Sequence, residues 1–510
     1  MLPKRMSSSK FKDTPADFNQ PRMFPFNIFD LLPRDHDCFV LEDIFKHIDT
    51  SEVEQRYHHL GQKAYHPRLI ISILIYAYSH GVFSSREIER RCNQDLAFMY
   101  IAKQSCPNFR VLSDFRKNES DFFHSSFKQS VRLARELQMA SLGHIALDGS
   151  KFKANSSKHK AMSYGRLKAK EAKLVADIEE LIKKAEASDN EEDEAYQQET
   201  GYSIPEDMTF KQQRLDTIQK AKKALEEREK ALAPDKLIDD KKQISFSDHD
   251  ARIMGKKGSG YQYSYNAQIS VDSDKGIIVG QHISQHANDK QEVKPALEAI
   301  AKATDNAPIG KMSEDNGYYS GPNLQAFNDK GIDAYMATDR HEKPSAEPLE
   351  DTDRKFVKAD FSYNEADDSF TCPAGQQLIH NPASKAKTKN YRASKDICRH
   401  CPLRSRCSGT NKDPGKVIRT DCHEAIRQAM NRKMTTMEAK AVYKRRKVIA
   451  EPPFGQIKNS GFKGFSVRGK KKVAGEFSLA CSAYNFKKIA RSISTGVVRL
   501  KEAKRLKMVA

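Results

Sequence analysis

The sequence predicts an α/β fold, a mixed sheet core with an N-terminal helical domain, a helical-arm insertion and a Cys-rich insertion. Three observations lead there. The apolar run His144-Ile145-Ala146-Leu147 ends at Asp148-Gly149-Ser150, as a strand does on entering a turn. Two β-rich runs, Tyr261 to Val271 and Gly276 to Ser284, flank Asp272-Ser273-Asp274-Lys275 and read as a hairpin. A helical run from Glu292 to Ala303 follows, then a strand ending near Asp315 and another at Ile332 to Ala337.

A chain of 510 residues is too long for one compact core, so two to four domains are expected. The reading divides it into a disordered basic N-terminus (1–22), a helical domain (23–138), the start of the α/β core (139–164), a helical arm (165–240), the core continued (241–340), the Cys-rich insertion (341–425) and basic C-terminal helices (426–510). In the helical domain, helices are expected from Pro67 to His80, from a capping box at Ser84 and Glu87 through Arg91, and from Phe109 to Lys117 with Arg110, Arg116 and Lys117 exposed. Short helices with basic faces suit a helix-turn-helix-like DNA-docking unit, and equally an ordinary helical domain. In the arm, Leu167, Leu174 and Leu181 recur every seven residues, as do Ile218, Leu225 and Leu232. Two such helices, 165–185 and 208–233, joined by the acidic stretch Asp189 to Asp207, predict an antiparallel pair.

The net charge of +19 and pI of about 9.3 draw the chain to polyanions, nucleic acid before an anionic membrane surface. No run approaches the roughly 20 apolar residues that cross a bilayer, and the most apolar stretch, Leu69 to Ala77, is broken by Ser72. No apolar segment follows the charged N-terminus, so no signal peptide is expected. With nine mostly scattered cysteines, this points to a reducing cytoplasm without a disulfide framework.

Three acids are the candidate catalytic residues. Asp148 stands where an apolar strand meets a glycine, and Asp315 lies in Ser313-Glu314-Asp315-Asn316-Gly317-Tyr318-Tyr319, where another strand gives way to a turn. Glu451 lies in a basic helical run. Hard cations such as Mg²⁺ take carboxylate oxygens, waters and substrate phosphate oxygens. Three acids distant in sequence and convergent in space would hold two such ions, one activating the attacking oxygen and one stabilising the leaving oxygen. On a helix, Lys447, Glu451 and Lys458 share a face, with Tyr443 one turn further upstream. Pro452 predicts a kink or restart at Glu451. Glu476 is a reserve third acid. Tyr318, Tyr319, Phe462 and Phe465 read either as bases' stacking partners or as core aromatics.

A second constellation is Cys372, Cys398, Cys401 and Cys407. Cys398-Arg399-His400-Cys401 has knuckle spacing, and Cys372-Pro373-Ala374-Gly375 forms a turn that can supply a fourth thiolate. Four soft ligands in a loop-rich segment too small for its own core suit a structural, zinc-ribbon-like Zn²⁺ site. An iron–sulfur cluster asks for the same four thiolates, and His380, His400 and Cys422 are substitute ligands. Eleven cations between Lys440 and Lys472 surround Glu451, and each placed on a phosphate would make DNA binding salt-dependent.

The combination Leu147-Asp148-Gly149-Ser150, Asp315-Asn316-Gly317-Tyr318 and Tyr443…Glu451-Pro452…Phe454-Gly455-Gln456-Ile457-Lys458 resembles the DDE transposases of bacterial insertion sequences. It is closest to the insertion-sequence-four-like branch, in the group numbered eleven eighty-two. The resemblance extends to His66-Pro67-Arg68-Leu69, Phe83-Ser84-Ser85-Arg86-Glu87-Ile88-Glu89 and the Cys-rich insertion. It implies a ribonuclease-H-like core in which Asp148 ends the first strand, Asp315 follows the fourth and Glu451 lies on a late helix. It also implies two Mg²⁺ (or Mn²⁺) ions and a DNA-contacting signature of Tyr443, a basic residue and Lys458. The family signature has Arg four positions before the Glu; here that position is Lys447, and Arg446 stands one step out of register. The function expected is a DNA transposase, binding terminal inverted repeats and target DNA as a homodimer, cytoplasmic and at the nucleoid when DNA-bound, with no membrane partner. The alternatives are a catalytically inactive DNA-binding derivative and a plain metal-dependent nuclease.

Overall fold

The computed structural model describes residues 27–57, 64–156, 161–195, 206–256, 260–338, 342, 354–380, 388–407 and 415–497. The expected disordered N-terminus (1–22) lies outside the described residues, as do residues 196–205 of the acidic connector.

The N-terminal helices are α1 (Asp37–Phe45), α2 (Ser51–Glu54), α3 (Pro67–Ser79), α4 (Ser85–Gln94), α5 (Leu96–Ile101), α6 (Phe109–Asn118) and α7 (Ser120–Glu136). Helix α3 opens with Pro67 at its first turn, where a missing N–H costs nothing, and the His66 ring caps the Arg68 N–H. Asn108 caps α6 by accepting from Val111 N–H. Two expectations need correction. Ser84 precedes α4 but its hydroxyl makes no capping bond, and Glu87 is engaged by Arg90 and Arg91 instead. Arg116 is buried rather than exposed: it donates to the Tyr78 hydroxyl, the Phe83 carbonyl and the Ser85 hydroxyl. At that position α6 turns inward against α3 and α4.

The central sheet contains β1 (His144–Lys153), β4 (Arg252–Lys256), β5 (Gly260–Asp272), β6 (Ile278–Ser284), β7 (Lys311–Glu314) and β8 (Asp333–Met336). A short pair, β2 (Ala161–Ser163) and β3 (Gln243–Ser245), closes the base of the arm. The order is β4-β5-β1-β7-β8, with β6 also on β5; β1, β5 and β6 run antiparallel, and β7 and β8 run parallel to β1. Between β6 and β7 lies α10 (Val293–Thr304), and between β7 and β8 lies α11 (Gly321–Asp329). The strand at His144 does not stop at Asp148. It continues to Lys153 because β5 pairs along all of it, with Asp148 opposite Ile269.

The arm is α8 (Tyr164–Ala195) and α9 (Glu206–Leu232). Tyr164 donates to Glu226 and Lys222 donates to Glu171, so the helices run antiparallel, as the heptads predicted. Leu167, Ile218, Ala221 and Leu225 form their own core with Ile244, whereas Leu232 is exposed. Helix α8 continues to Ala195, so the acidic stretch from Asp189 is helical at its start rather than connector.

The segment expected to be loop-rich carries a five-stranded antiparallel sheet: β9 (Ser362–Asn364), β10 (Ser369–Thr371), β11 (Gln377–His380), β12 (Lys389–Arg392) and β13 (Ile418–Thr420). It has a core after all, of Phe356, Phe361, Phe370, Leu378, Tyr391 and Ile418. Two short helices, α12 (Lys395–Arg399) and α13 (Arg404–Cys407), sit beside it.

Three basic helices end the described chain: α14 (Glu424–Thr435), α15 (Met437–Asn459) and α16 (Lys470–Ser494). The helix does not restart at Glu451; α15 runs without a break through Pro452 and Pro453. The prolines remove two helical N–H donors, but Pro453, Phe454 and Ile457 are buried against the core, and that packing holds the helix together. Helix α16 is buried over most of its length and joins the N-terminal helices to the sheet. Tyr318, Tyr319, Phe462 and Phe465 are all buried, so the core reading applies to them. Among the described residues, no helix is long and apolar enough to cross a membrane.

Glu476 belongs to this joint. It is buried, accepts from Tyr78 Oη at 2.8 Å, from Ser466 N at 2.8 Å and from Val467 N at 3.3 Å, and reaches Arg116 through Tyr78. The reserve third acid is thus a structural anchor. Glu476→Ala leaves these donors and the Arg116 charge buried without it, at a cost of about 3 kcal/mol or more. Urea denaturation should show a clearly lower midpoint for it, with Glu476→Gln between it and the parent chain; an unchanged midpoint refutes the anchor.

Candidate active site

Parallel pairing of β1 with β7 aligns His144 with Lys311, Ile145 with Met312 and Ala146 with Ser313. Two residues further on, the same register brings Asp148 level with Asp315, which follows β7 directly. The His144 ring nitrogen and the Ser313 hydroxyl, 2.9 Å apart, pin the register from the side-chain level. Sequence reasoning brought these two aspartates together, and the sheet does so.

Each aspartate is held through one oxygen. Asp148 Oδ1 accepts from Gly149 N–H at 3.0 Å, and Asp315 Oδ1 accepts from Gly317 N–H at 2.7 Å, capping a short 3-10 turn. A third acid stands between them that the sequence reading missed. Asp289, in the loop between β6 and α10, accepts on Oδ1 from Asn266 (2.7 Å) and Gln268 (2.6 Å) of β5. A Cβ on Gly149 would lie 3.0 Å from Asp289 Oδ1 and 2.3 Å from Gln268 Nε2; one on Gly317 would lie 3.6 Å from Asp289 Oδ2. A Cβ on Gly149 would collide with Gln268 and press on Asp289, and one on Gly317 would stand 2.9 Å from Asp315 Oδ1, so glycine is needed at both positions. Gln268 also accepts from the buried Tyr318 hydroxyl, so one amide connects the Asp289 and Asp315 loops. Nothing in His286-Ala287-Asn288-Asp289-Lys290 marks Asp289 by spacing or pattern; only the fold brings it here.

Like charges collect at this place. Burial raises the Asp148 carboxyl to about 6, with Asp315 and Asp289 adding to the rise and Arg446 opposing it. Burial likewise raises Asp289, with Asp315 contributing. Glu314, fully buried and with both oxygens unpartnered among the described residues, is pushed well above the carboxylate range, first by burial.

Helix α15 supplies the opposing charge. Arg446 is buried and its field reaches Asp148 and Glu314, while its guanidinium lies 5.9 Å from the Tyr443 ring centroid. Lys447 is exposed. The inward cation is therefore Arg446, and the one free to meet solvent is Lys447. Tyr443, half-buried, feels Arg446, Asp315 and Glu314. At the other end, Lys458 donates to the hydroxyl of Ser150, two residues beyond Asp148, and lies over the rings of Phe152 (5.2 Å) and Phe454 (5.6 Å). Tyr443, Lys447, Glu451 and Lys458 follow one stripe at helical spacing. Glu451 lies midway along it, exposed, between the residue near Asp315 and the residue touching β1.

The four cysteines of the second constellation line one small cavity together with Leu378 and Lys416. Burial raises the thiols of Cys398 and Cys407, and in both cases the neighbouring cysteines add to the rise. All four are free thiols. Cys422 is exposed, and His400 Nδ1 lies 3.0 Å from the Asp396 carbonyl.

Neither constellation is drawn to ligating distance: among the described residues, no three His, Cys, Asp or Glu side chains are close enough to hold an ion. The donor chemistry nonetheless fits a hard cation at the aspartates. Each offers a second oxygen that accepts no hydrogen bond among the described residues, and their mutual repulsion is the kind a cation relieves. Four thiols in one cavity fit a soft cation in the same way.

Two family models match the sequence. One, described as a Transposase DDE domain, covers residues 371–490; the other, described as a Transposase domain (DUF772), covers residues 26–118. These two matches indicate a DDE-type insertion-sequence transposase. The first match takes in the four cysteines, Tyr443, Arg446, Lys447, Glu451 and Lys458; the two aspartates lie between the matched stretches. No curated protein matches the chain. Among solved structures, a cryo-EM structure of a piggyBac transposase synaptic complex with hairpin DNA aligns over 92% of this chain and 81% of its own, at 10% identity and a TM-score of 0.27. A score that low carries no structural argument.

The raised Asp148 carboxyl has a sign-definite consequence for the metal-free protein. Folding raises its pKa above the unfolded value of 3.8, so the fold favours the neutral carboxyl. Its stabilising contribution is complete below the unfolded pKa and is lost as pH rises through about 6. Asp148→Asn keeps the group neutral. In EDTA it should raise the melting temperature at pH 8, by at most about 3 kcal/mol of stability, and give no gain below about pH 4. An Asn variant less stable than the parent at pH 8 contradicts the crowding of acids.

Proposed function

We propose that this chain is a DNA transposase that binds the terminal inverted repeats of its element and carries out metal-dependent phosphodiester hydrolysis and strand transfer. The observation that supports it best is the level alignment of Asp148 and Asp315 by the β1–β7 register, beneath a basic helix of the matched DDE family. The strand order β6-β5-β1-β7-β8, with α10 and α11 as crossovers, supports reading the core as ribonuclease-H-like, with the arm inserted after its first strand and the Cys-rich sheet before its last helix.

In this reading Asp148 and Asp315 are the pair that would hold Mg²⁺ or Mn²⁺, two ions per site, and Glu451 is the third acid. Bound there, the ions would supply charge neutralisation for the attacking and leaving oxygens. The chain's own residues do the rest. Arg446 offsets the charge of Asp148, and Asn266 and Gln268 hold Asp289 beside the pair. Lys447 is exposed to receive a backbone phosphate. Tyr443 and Lys458 bracket the strand that crosses α15, orienting the scissile phosphate over the carboxylates. Asp289, half-buried and doubly hydrogen-bonded, positions the pair from behind. Cys372, Cys398, Cys401 and Cys407 are read as a structural zinc-ribbon-like site, which would tie α12 and α13 to the small sheet. Two element ends must be joined in one event, which favours a homodimer on DNA.

On a duplex carrying the element end, Asp148→Ala and Asp315→Ala should each lower Mg²⁺-dependent cleavage at least about a thousandfold while DNA affinity changes less than about threefold; Glu451→Ala should do the same. Cleavage that survives any of the three removes that residue from the reading. Purified chain should carry about one zinc by elemental analysis. Cys398→Ser should abolish it and lower the melting temperature; a chain without metal that melts unchanged would reject the zinc site.

A further inference from the structure

A cavity of about 560 Å³ opens on the other flank of α15, and neither Asp148, Asp315 nor Glu451 lines it. It lies where α3, the C-terminal end of α15, α16 and the β5–β6 turn meet. Lys275, Lys487, Lys488 and Arg491 line it, and among the described residues no carboxylate does. The half-buried Phe83 ring gives it an aromatic face, the edges of the buried Tyr78, Phe462 and Tyr484 also line it, and Gln456 and Asn459 add amides.

The cations are built in. Tyr484 Oη donates to the Gly276 carbonyl at 3.0 Å and Lys488 Nζ to the Lys275 carbonyl at 2.6 Å, fastening the β5–β6 turn to α16. Gly276 has φ +65°, and a Cβ there would stand 2.7 Å from Lys488 Nζ, so the turn needs glycine. Lys487 Nζ donates to the Ser79 carbonyl at 2.6 Å. The acid that registers its charge, Asp37, is already engaged with His80 at 3.1 Å. Burial and the neighbouring Arg491 together lower the Lys488 ammonium. A second recess, of about 440 Å³, shares Lys275, Tyr484 and Lys488 and extends the track to Arg445 and Pro452. Its two acids, Asp272 and Asp274, accept backbone N–H groups of Leu142 and Ser141.

Clustered cations without acids, beside an aromatic face in a space of ligand-pocket size, suit a nucleotide: phosphate on the cations, base on the ring. We propose that this cavity binds a nucleotide unit of a DNA strand, at a site separate from the scissile phosphate. The proposal rests on the reading of this chain as a DNA-acting protein, but not on its catalysis.

The test is equilibrium dialysis of the full chain in EDTA with a radiolabelled, 5′-phosphorylated thymidine dinucleotide, so that no metal-dependent step contributes. Lys275→Glu and Arg491→Glu reverse exposed charges whose side chains anchor no described element. Each should weaken binding at least about tenfold, with melting temperatures unchanged, and the pair together further still. A single-stranded thymidine oligonucleotide should compete for the same site. As the chain has no Trp, Phe83→Trp adds a local reporter whose fluorescence should change saturably with the dinucleotide. Absent binding, binding indifferent to both charge reversals, or dinucleotide binding that the oligonucleotide does not displace would overturn the proposal, the last assigning the cavity to free nucleotides. Loss of cleavage in a separate Mg²⁺ assay would instead count against the catalytic reading alone.

Discussion

The parallel contact between β1 and β7 is the constraint on which the site depends. It spans only three residue pairs, yet it aligns two aspartates whose positions in sequence are 167 residues apart (148 and 315). Parallel strands cannot be joined by a tight turn, so the chain must travel through β5, β6 and α10 before returning. That detour also delivers the loop carrying Asp289. The three acids therefore come from three loops and strands that a single sheet register coordinates. A slip of one residue in β1 would turn Asp148 to the opposite face.

Electrostatics then explains why the following elements are basic. Asp148, Asp289 and Glu314 all have carboxyls raised by burial, and each feels another acid. An isolated cluster of this kind is unfavourable in a folded protein, and Arg446 on α15 offsets part of it from inside the core. Lys447 and Arg445 face outward, Arg445 on the flank lining the second recess, while Lys458 reaches inward to Ser150. One helix thus separates two differently charged surroundings. Its rigidity comes from the apolar side, where Ile449, Ala450, Pro453, Phe454 and Ile457 join the main core, and this is how it tolerates two internal prolines.

The Cys-rich segment follows a different logic. Its six buried residues form a separate small core, and the thiols cluster at the edge of it rather than at its centre. A core so small contributes little by itself, which is where a metal link adds most. The arm is similar in kind: a narrow stripe of Leu and Ile between two helices, anchored to the body by β2, β3 and Ile244.

The sequence by itself determined the elements whose signal is local. The heptad positions Leu167, Ile218 and Leu225 of the arm, the β5–β6 hairpin around Asp272 to Lys275 and Pro67 at a helix start depend on neighbours within a few residues, and these stand where they were expected. The order of strands and helices, and the pairing of Asp148 with Asp315, were legible for the further reason that the motifs resemble a known family. Tertiary structure alone decided the rest. Pairing with β5 carried β1 past Asp148, burial overrode the proline signal in α15, and packing against α3 and α4 turned Arg116 inward. Asp289 had no local mark at all. Which of Arg446 and Lys447 faces the acids depends on the rotation of α15 about its axis, a quantity set by contacts with distant strands and invisible to spacing along the chain.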